Sequence, residues 1–518
     1  MGETSGSAPG HPNQAAEPPC ISGSAPAPAL AWRAVVAVTG GIAVLLLATA
    51  NGYDYHRDEL YFRVLGQHPA WGYVDQPPLT PLLGRLAVLL AGDHLWAFRL
   101  PAVLCVAAAA VLAALIAREL GGGSIAQALA ALGFASAFPL IGGHVLSTAT
   151  PDLVVWSAVL LFTIRALRRD EPPWWLAAGA VTGVGLYNKH LVVLLLLCLG
   201  LALLLVGPRR VLLSPWLWAG VGLALVIGSP NLVYQVAHGW PQLTMARTLA
   251  AHKGHDARVT LVPLQILMLG LLLVPVWVAG FVRLWQDRRV RAVALAYPVM
   301  CVVLFVIAGQ PYYTIGLLLA LHSAGAVAVA SWLAVASWPA GRLRRAGVVA
   351  VAYGVNVVLS AVIALPLLPL HVLGHTPIPT INQVARDQVG WQRYVRQVAD
   401  VYSGLSTVDR AGAAILTGNY GEYGALVRYG GRYGLPSVYS GQNQLWYLAR
   451  PPDSARVVVV VGYDDDAWIA QRFASCTTTA RLDNGVGVDN EEQGRPVRVC
   501  RSPRAHWRTL WSDFQHYD

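Results

Sequence analysis

Residues 54–80, DYHRDELYFRVLGQHPAWGYVDQPPLT, decide how the rest of the chain is read. The stretch gathers Asp54, Asp58, Glu59 and Asp75 with the cations Arg57 and Arg63 and the imidazoles His56 and His68. Residues 32–50, just upstream, are almost wholly apolar, and at about 1.5 Å of helical rise per residue they can cross the hydrocarbon core of a bilayer. The acidic stretch therefore begins at a membrane surface, and it is the natural place for chemistry.

Composition agrees with this reading. The 518 residues are 55% hydrophobic and only 12% charged, with a mean hydropathy of +0.50, which excludes an ordinary soluble globular protein and indicates a polytopic α-helical membrane protein. The net charge of +10 does not point to nucleic acid, because the arginines cluster in short connections between apolar runs, as the positive-inside rule requires. Cys105, Cys198 and Cys301 lie in apolar runs and read as inert core thiols, and Cys20 lies in the N-terminal tail. Cys476 and Cys500 fall in polar text and are placed to form a disulfide if that region faces an oxidising compartment.

Residues 1–29, rich in Gly, Ser, Ala and Pro, read as a disordered cytoplasmic tail without the basic n-region of a signal peptide. Apolar runs follow at 32–50, 96–117, 123–142, 152–167, 174–188, 190–206, 212–231, 261–282, 292–308, 313–334 and 346–370, about eleven transmembrane helices in a domain spanning 30–370. Arg118, Arg165, Arg168, Arg169, Arg209, Arg210, the arginines of 283–291 and those of 342–345 fall in alternate connections, which are assigned to the cytoplasm. The outer loop 51–95, the turn at His144, the edge at Lys189, the loop 232–260 and the turn 309–313 then face outward. Within the first outer loop, 58–66 and 77–92 read as helices lying along the membrane surface. Residues 371–389 read as a linker. Strand-like text at 413–417 and 457–462, among helices near 390–402, 421–429 and 466–474, predicts a small extracytoplasmic α/β domain over 390–518. The Gly-Tyr-rich text TGNYGEYGALVRYGGRYG suits either a ligand surface or structural turns.

Each candidate site residue has a bland reading beside the chemical one. Asp58 and Glu59 suit a helix N-terminus, and Thr150-Pro151-Asp152 resembles a cap with proline in the first turn. Yet acids on separate outer segments can converge on one pocket, and an ionisable group at the end of a span is costly unless used. Lys189 suits a snorkelling lysine, but a cation on the outer side runs against positive-inside statistics and is what a lipid phosphate needs. Tyr312 and Tyr313, with Asn231, Tyr234, His238 and Trp240, read as an aromatic belt or as a pocket rim at the same depth. The spacing of His252, His255 and Asp256 matches no compact metal site; no cofactor is indicated, and a divalent metal is left open.

In their order along the chain, DELYF after the first span, Tyr-Val-Asp-Gln-Pro-Pro, Thr-Pro-Asp, Asn-Lys, Pro-Asn with His-Gly-Trp-Pro, and Pro-Tyr-Tyr resemble one family. It is that of bacterial relatives of the dolichyl-phosphate-mannose protein mannosyltransferases, a GT-C superfamily group that includes the lipid A aminoarabinose transferase. The likeness covers the membrane half to two-thirds of the chain. The text from Leu482 onward is similar to the tail of actinobacterial-type members. This resemblance implies a GT-C-like fold and an inverting glycosyl transfer from a polyprenyl-phosphate-linked sugar donor to a hydroxyl on a glycan, lipid or protein acceptor. The reaction would take place on the extracytoplasmic face of the plasma membrane, among membrane lipids. It implies Asp58 as catalytic acid/base with Glu59 paired to it, and Asp75, Asp152 and Lys189 as pocket residues, with His56, Tyr312 and Tyr313 beside them. One departure stands out: Gln76 follows Asp75 where the aminoarabinose transferase carries a lysine. Arg57, Arg63 or Lys189 must then hold the phosphate. The alternative from another class is a transporter or flippase of lipid-linked sugars, which would carry polar groups along whole spans rather than at their outer ends.

Overall fold

The computed structural model describes Gly2, residues 27–335 and residues 338–518; nearly all of the expected N-terminal tail, with Cys20, lies outside the described residues. The long helices run in chain order as α1 Trp32–Thr49, α2 Arg57–Gln67, α3 Leu79–Ala91, α4 Leu95–Glu119, α5 Ser124–Leu132, α6 Ala137–His144, α7 Ala149–Arg169, α8 Trp174–Gly185, α9 Leu191–Val206, α10 Pro215–Ala237, α11 Pro241–Leu267, α12 Val274–Gln286, α13 Arg291–Ile307, α14 Ile315–Ala334 and α15 Pro339–Ala364. Among the described residues six are long and apolar enough to cross a membrane, or eight if each bent pair counts as one span. Shorter apolar helices, α3, α9 and α13, stand beside them.

That count departs from about eleven expected spans, and bends account for part of the difference. The run at 123–142 breaks by 62° between α5 and α6, and the helix Pro241–Leu267 turns by 71° into Leu271–Gln286. The expected outer loop 232–260 is likewise replaced by α11 over most of its length. Its text MARTLAAHKGHDARV contains one glycine and no proline, so nothing breaks the helix before Pro263, and its polar side chains are mostly exposed.

Helix α7 is the axis of the bundle, 83% buried over its spanning window, whereas α1, α10 and α15 are 22% buried and present apolar faces outward. Alanines make the close packing around it: Ala109, Ala110, Ala113, Ala114 and Ala117 of α4 are all buried, and small side chains let helix backbones approach where lipid supplies no hydrophobic drive. The two ends of the bundle differ chemically. At one end Arg165 and Arg169 reach Glu119 at 3.1 and 2.6 Å, Arg168 pairs with Asp287, and Arg289 donates to the Arg168 carbonyl at 2.9 Å. At the other, about 30 Å away along α4, lie the start of α7, the end of α6, α2 and the chain following α15, where Tyr53 Oη donates to the Leu368 carbonyl. Because α1 begins at the arginine end and α15 finishes at the other, the C-terminal region hangs on the acidic end.

Residues 371–389, expected as a linker, hold α16 Leu370–Leu373, α17 Ile378–Ile381 and α18 Gln383–Arg386, and bury Asn382, Asp387 and Gln388. Beyond them α19 Trp391–Ser403, α20 Thr407–Ala411 and α21 Tyr420–Tyr429 surround a five-stranded sheet ordered β2-β1-β3-β5-β4. Its strands are β1 Ala413–Thr417, β2 Val438–Ser440, β3 Val457–Val461, β4 Phe473–Arg481 and β5 Pro496–Pro503. Strand β3, all valine, is buried along its length and pairs parallel with β1 and antiparallel with β5; a continuous apolar run suits a strand covered on both faces. Strands β1 and β3 and helices α19 and α21 fall where the sequence predicts them. The edge strand β4 does not, because FASCTTTAR is polar and mostly exposed and reads as loop. Cys476 and Cys500 pair as a disulfide across β4 and β5. One apolar cluster runs from Tyr55, Leu60 and Tyr61 through Phe98 and Leu146 to Trp391, Ile415, Leu426 and Val459, so the sheet shares its core with the end of the bundle.

Candidate active site at the acidic end of the bundle

Helix α2 starts at Arg57 because His56 caps it: the Asp58 amide donates to His56 Nδ1 at 3.2 Å while Glu59 accepts from the His56 amide at 2.9 Å, a capping box. The two adjacent acids then diverge. Glu59 points inward and is fully buried against Arg99 of α4, with the Arg99 Nη2 to Glu59 Oε2 distance at 2.8 Å. Its other oxygen accepts from the Leu146 amide at 3.0 Å. Arg99 also donates to the Ala50 carbonyl at the end of α1, to the Asp54 carbonyl and to Gln388 Oε1, at 2.8, 2.9 and 3.0 Å. Glu59 thus has no free oxygen for chemistry; it locks α2 to α1, α4 and the start of α7.

Asp58 points the other way and is partly exposed, its side chain 34% accessible. Tyr420 Oη donates to its Oδ1 at 2.8 Å, and Oδ2 faces His56 Nδ1 at 3.8 Å. Asp75 lies beyond it: Tyr61 Oη donates to Asp75 Oδ1 at 3.1 Å, and the Tyr61 and Tyr420 rings stack at 4.8 Å. Burial, with the Asp58 carboxylate nearby, pushes Asp75 up to about 7 against its backbone and Tyr61 hydrogen bonds.

The chain leads directly from Asp75 to the second acid. Gln76, Pro77 and Pro78 pass to Leu79, whose amide donates to the Tyr187 carbonyl at 2.8 Å, and Thr80 Oγ1 donates to Asn188 Oδ1 at 2.8 Å. Asn188 Nδ2 in turn donates to Asp152 Oδ1 at 2.7 Å. Asp58 and Asp152 therefore stand at the same end of the bundle. Lys189, the next residue, lies 3.4 Å from Tyr312 Oη and 4.7 Å from the centre of the Tyr313 ring, so Tyr312 and Tyr313 wall this cation.

The three candidate cations differ in how free they are. Arg57 is buried, paired with Glu491 and seated over the Tyr420 ring at 4.7 Å. Arg63 is held bidentately by Asp93, with Nη2 to Oδ2 at 2.9 Å, in a cleft shared with Arg428, which also reaches Asp93. Among the described residues Lys189 has Tyr312 as its hydrogen-bond partner and no ion pair. Gln76 is buried with Nε2 unpartnered. No group of three or more His, Cys, Asp or Glu side chains among the described residues is placed to hold a metal.

Arg99, Gln388, Asn188, Tyr61 and Tyr420 are site residues that the sequence reading did not single out as such. An arginine near the start of an apolar span is itself a signal of use; nothing local marks Gln388, which comes from text read as linker, and Tyr420 lies in the Gly-Tyr-rich text that suited either a ligand surface or structural turns.

The family described as dolichyl-phosphate-mannose-protein mannosyltransferase matches residues 75–234, a segment holding Asp75, Asp152 and Lys189. No curated protein matches the chain by sequence. The crystal structure of ArnT from Cupriavidus metallidurans bound to undecaprenyl phosphate superposes with a TM-score of 0.56 at 17% identity, covering 91% of this chain and 98% of that one. The apo structure of the same protein gives 0.53 at 18% identity, covering 90% and 98%. This is a multi-pass membrane protein that, by family match and by fold, resembles the GT-C glycosyltransferases of the dolichyl-phosphate-mannose protein mannosyltransferase and ArnT group.

Proposed function

We propose that the protein is an inverting glycosyltransferase that moves a sugar from a polyprenyl-phosphate donor to an acceptor hydroxyl on the extracytoplasmic face, with Asp58 as general base. The observation that carries this reading is a pair of contact chains at one end of the bundle, from Asp58 through Tyr420 and Tyr61 to Asp75 and, five residues further along the backbone, from Thr80 through Asn188 to Asp152, next to Lys189. It puts a partly exposed carboxylate and a cation that is in no ion pair among the described residues at one end of the helical bundle, the depth at which a prenyl-linked phosphate presents its sugar. ArnT, whose fold this chain shares, binds undecaprenyl phosphate, which supports a lipid of that kind as the carrier.

A phosphate attached to the anomeric carbon is already a fair leaving group, so the protein must take the acceptor proton and stabilise the departing phosphate. Asp58 Oδ2 takes the proton while Oδ1 stays bonded to Tyr420. Lys189 holds the phosphate, because Arg57 and Arg63 are each neutralised by an acid. Asp75 and Asp152 line the sugar pocket, and Glu59 holds α2 rather than reacting. A single displacement inverts the anomeric centre. The bundle-end chemistry supports an outward-facing site, since the arginine-rich end belongs to the cytoplasm under the positive-inside rule. Residues 390–518 then form an outer α/β unit beside the acceptor.

The test supplies membranes with radiolabelled undecaprenyl-phosphate mannose, glucose and arabinose. Wild-type protein moves label from one of these onto an acceptor, and Asp58→Asn, although folded and inserted, does not. Full transfer by Asp58→Asn removes the assignment of the base, and label that crosses the membrane still attached to its carrier turns the reading to a flippase.

A further inference from the structure

The base is held from outside the membrane bundle. Tyr420 opens α21, whose N-cap Asn419 forms a capping box with Glu422, and its amide donates to Gln442 Oε1 at 2.7 Å. The helix lies directly on α2 because two glycines leave room. A Cβ on Gly421 would stand 2.9 Å from Arg57 Cβ, and one on Gly424 would stand 2.7 Å from Leu60 Cβ and 2.9 Å from its carbonyl oxygen. In that position the Tyr420 ring is fixed between the Arg57 guanidinium and the Tyr61 ring, and its hydroxyl reaches Asp58. The Gly-Tyr-rich text thereby acquires a purpose that neither a turn nor a ligand surface describes: its glycines admit the helix and its tyrosine meets the acid.

We propose that Tyr420 is a positioning residue for the transfer reaction, orienting the Asp58 carboxylate by a hydrogen bond supplied from the C-terminal region, so that the site is incomplete without that region. The proposal rests on the reading of Asp58 as base. Its physical content is specific. Among the described residues Asp58 Oδ1 accepts from no other group, and its Oδ2 is 3.8 Å from the nearest imidazole nitrogen. Without the phenol the carboxylate is free to rotate about its χ angles, and the geometry needed to accept a proton from an approaching hydroxyl is lost. A hydrogen bond to a charged group is the stronger kind, and proton transfer depends steeply on placement.

Two substitutions in the full-length protein separate the hydrogen bond from the ring. Tyr420→Phe keeps the stack and the cation–π contact but has no donor, whereas Tyr420→4-aminophenylalanine keeps the shape and restores an N–H. A high-resolution structure of Tyr420→Phe is expected to show Asp58 turned out of its wild-type rotamer, with the 4-aminophenylalanine variant returning it. With whichever of the three undecaprenyl-phosphate sugars the wild type uses, Tyr420→Phe should lower kcat about tenfold with the donor KM within about twofold, and the 4-aminophenylalanine variant should recover most of the loss. Asp58 unmoved in Tyr420→Phe, or equal loss of kcat in both variants, overturns the proposal. Full activity in Asp58→Asn sinks the reading of the base instead, while the rotamer still decides whether Tyr420 positions that side chain.

Discussion

The neighbours Asp58 and Glu59 show how adjacent residues meet opposite surroundings, one partly exposed and one fully buried. Glu59 and Arg99 are both inaccessible to solvent, and removing one member of a buried pair leaves an uncompensated charge that costs about 3–5 kcal/mol. Glu59→Ala is therefore expected to lower the thermal midpoint of the detergent-solubilised protein sharply, and a midpoint within a degree of wild type would refute the structural role given to Glu59. Asp58→Asn should leave that midpoint unchanged while ending transfer. Asp75 carries a pH signature. Its folded value of about 7 lies above the ordinary 3.8, so the folded state binds the proton more tightly; the stability this contributes is full below about pH 4 and is lost as pH rises through 7. Burial and neighbouring carboxylates raise Glu492 to about 7 and Glu422 to about 8, with the same sign. The thermal midpoint should accordingly fall between pH 5 and pH 8, and fall less in Asp75→Asn; an unchanged slope in that variant contradicts the burial of this carboxyl. The acids themselves were legible in the sequence because charge beside a span is conspicuous. That Glu59 is the acid buried against Arg99 while Asp58 stays partly exposed was not, since that depends on the side of α2 to which Arg99 comes.

At the scale of elements, the decisive contact is α2 against α21. A methyl group at Gly424 meets the Leu60 backbone as well as its side chain, so neither neighbour can yield by a rotamer change alone. Gly424→Ala should cost about 1–3 kcal/mol through overpacking and should also reduce kcat by drawing Tyr420 away from Asp58. Gly431→Ala, where a Cβ meets nothing within 4 Å, is the control and should change neither. Equal behaviour of the two variants in a melting and turnover assay would disprove the close packing. Helix α2 is found within a residue of its expected start and end, because its cap and apolar pattern are local. That it is packed between the bundle and α21 was set by partners far away in sequence. Helix α11 gives the converse lesson: polarity alone made it look like a loop, although its residues favour a helix.

For the whole molecule the arrangement of ends predicts orientation. Val408 is exposed beside the sheet, and Arg344 is exposed at the start of α15. With a membrane-impermeant maleimide, Val408→Cys should be labelled in intact cells and Arg344→Cys only after permeabilisation; the reverse pattern would invert the topology and place the site in the cytoplasm. The sequence by itself determined the membrane character, the helical bundle, the charge-based sidedness expected of it and the polar end where the chemistry gathers, because hydropathy, charge bias and caps are properties of short stretches. Only the tertiary structure decided that Tyr420 reaches an acid 362 residues away, that Gln388 accepts from the Arg99 that pairs with Glu59, and that Arg57 and Arg63 are ion-paired with Glu491 and Asp93 whereas Lys189, among the described residues, is in no ion pair. Those outcomes follow from which surfaces pack together, and packing partners separated by hundreds of residues leave no periodic trace in either segment.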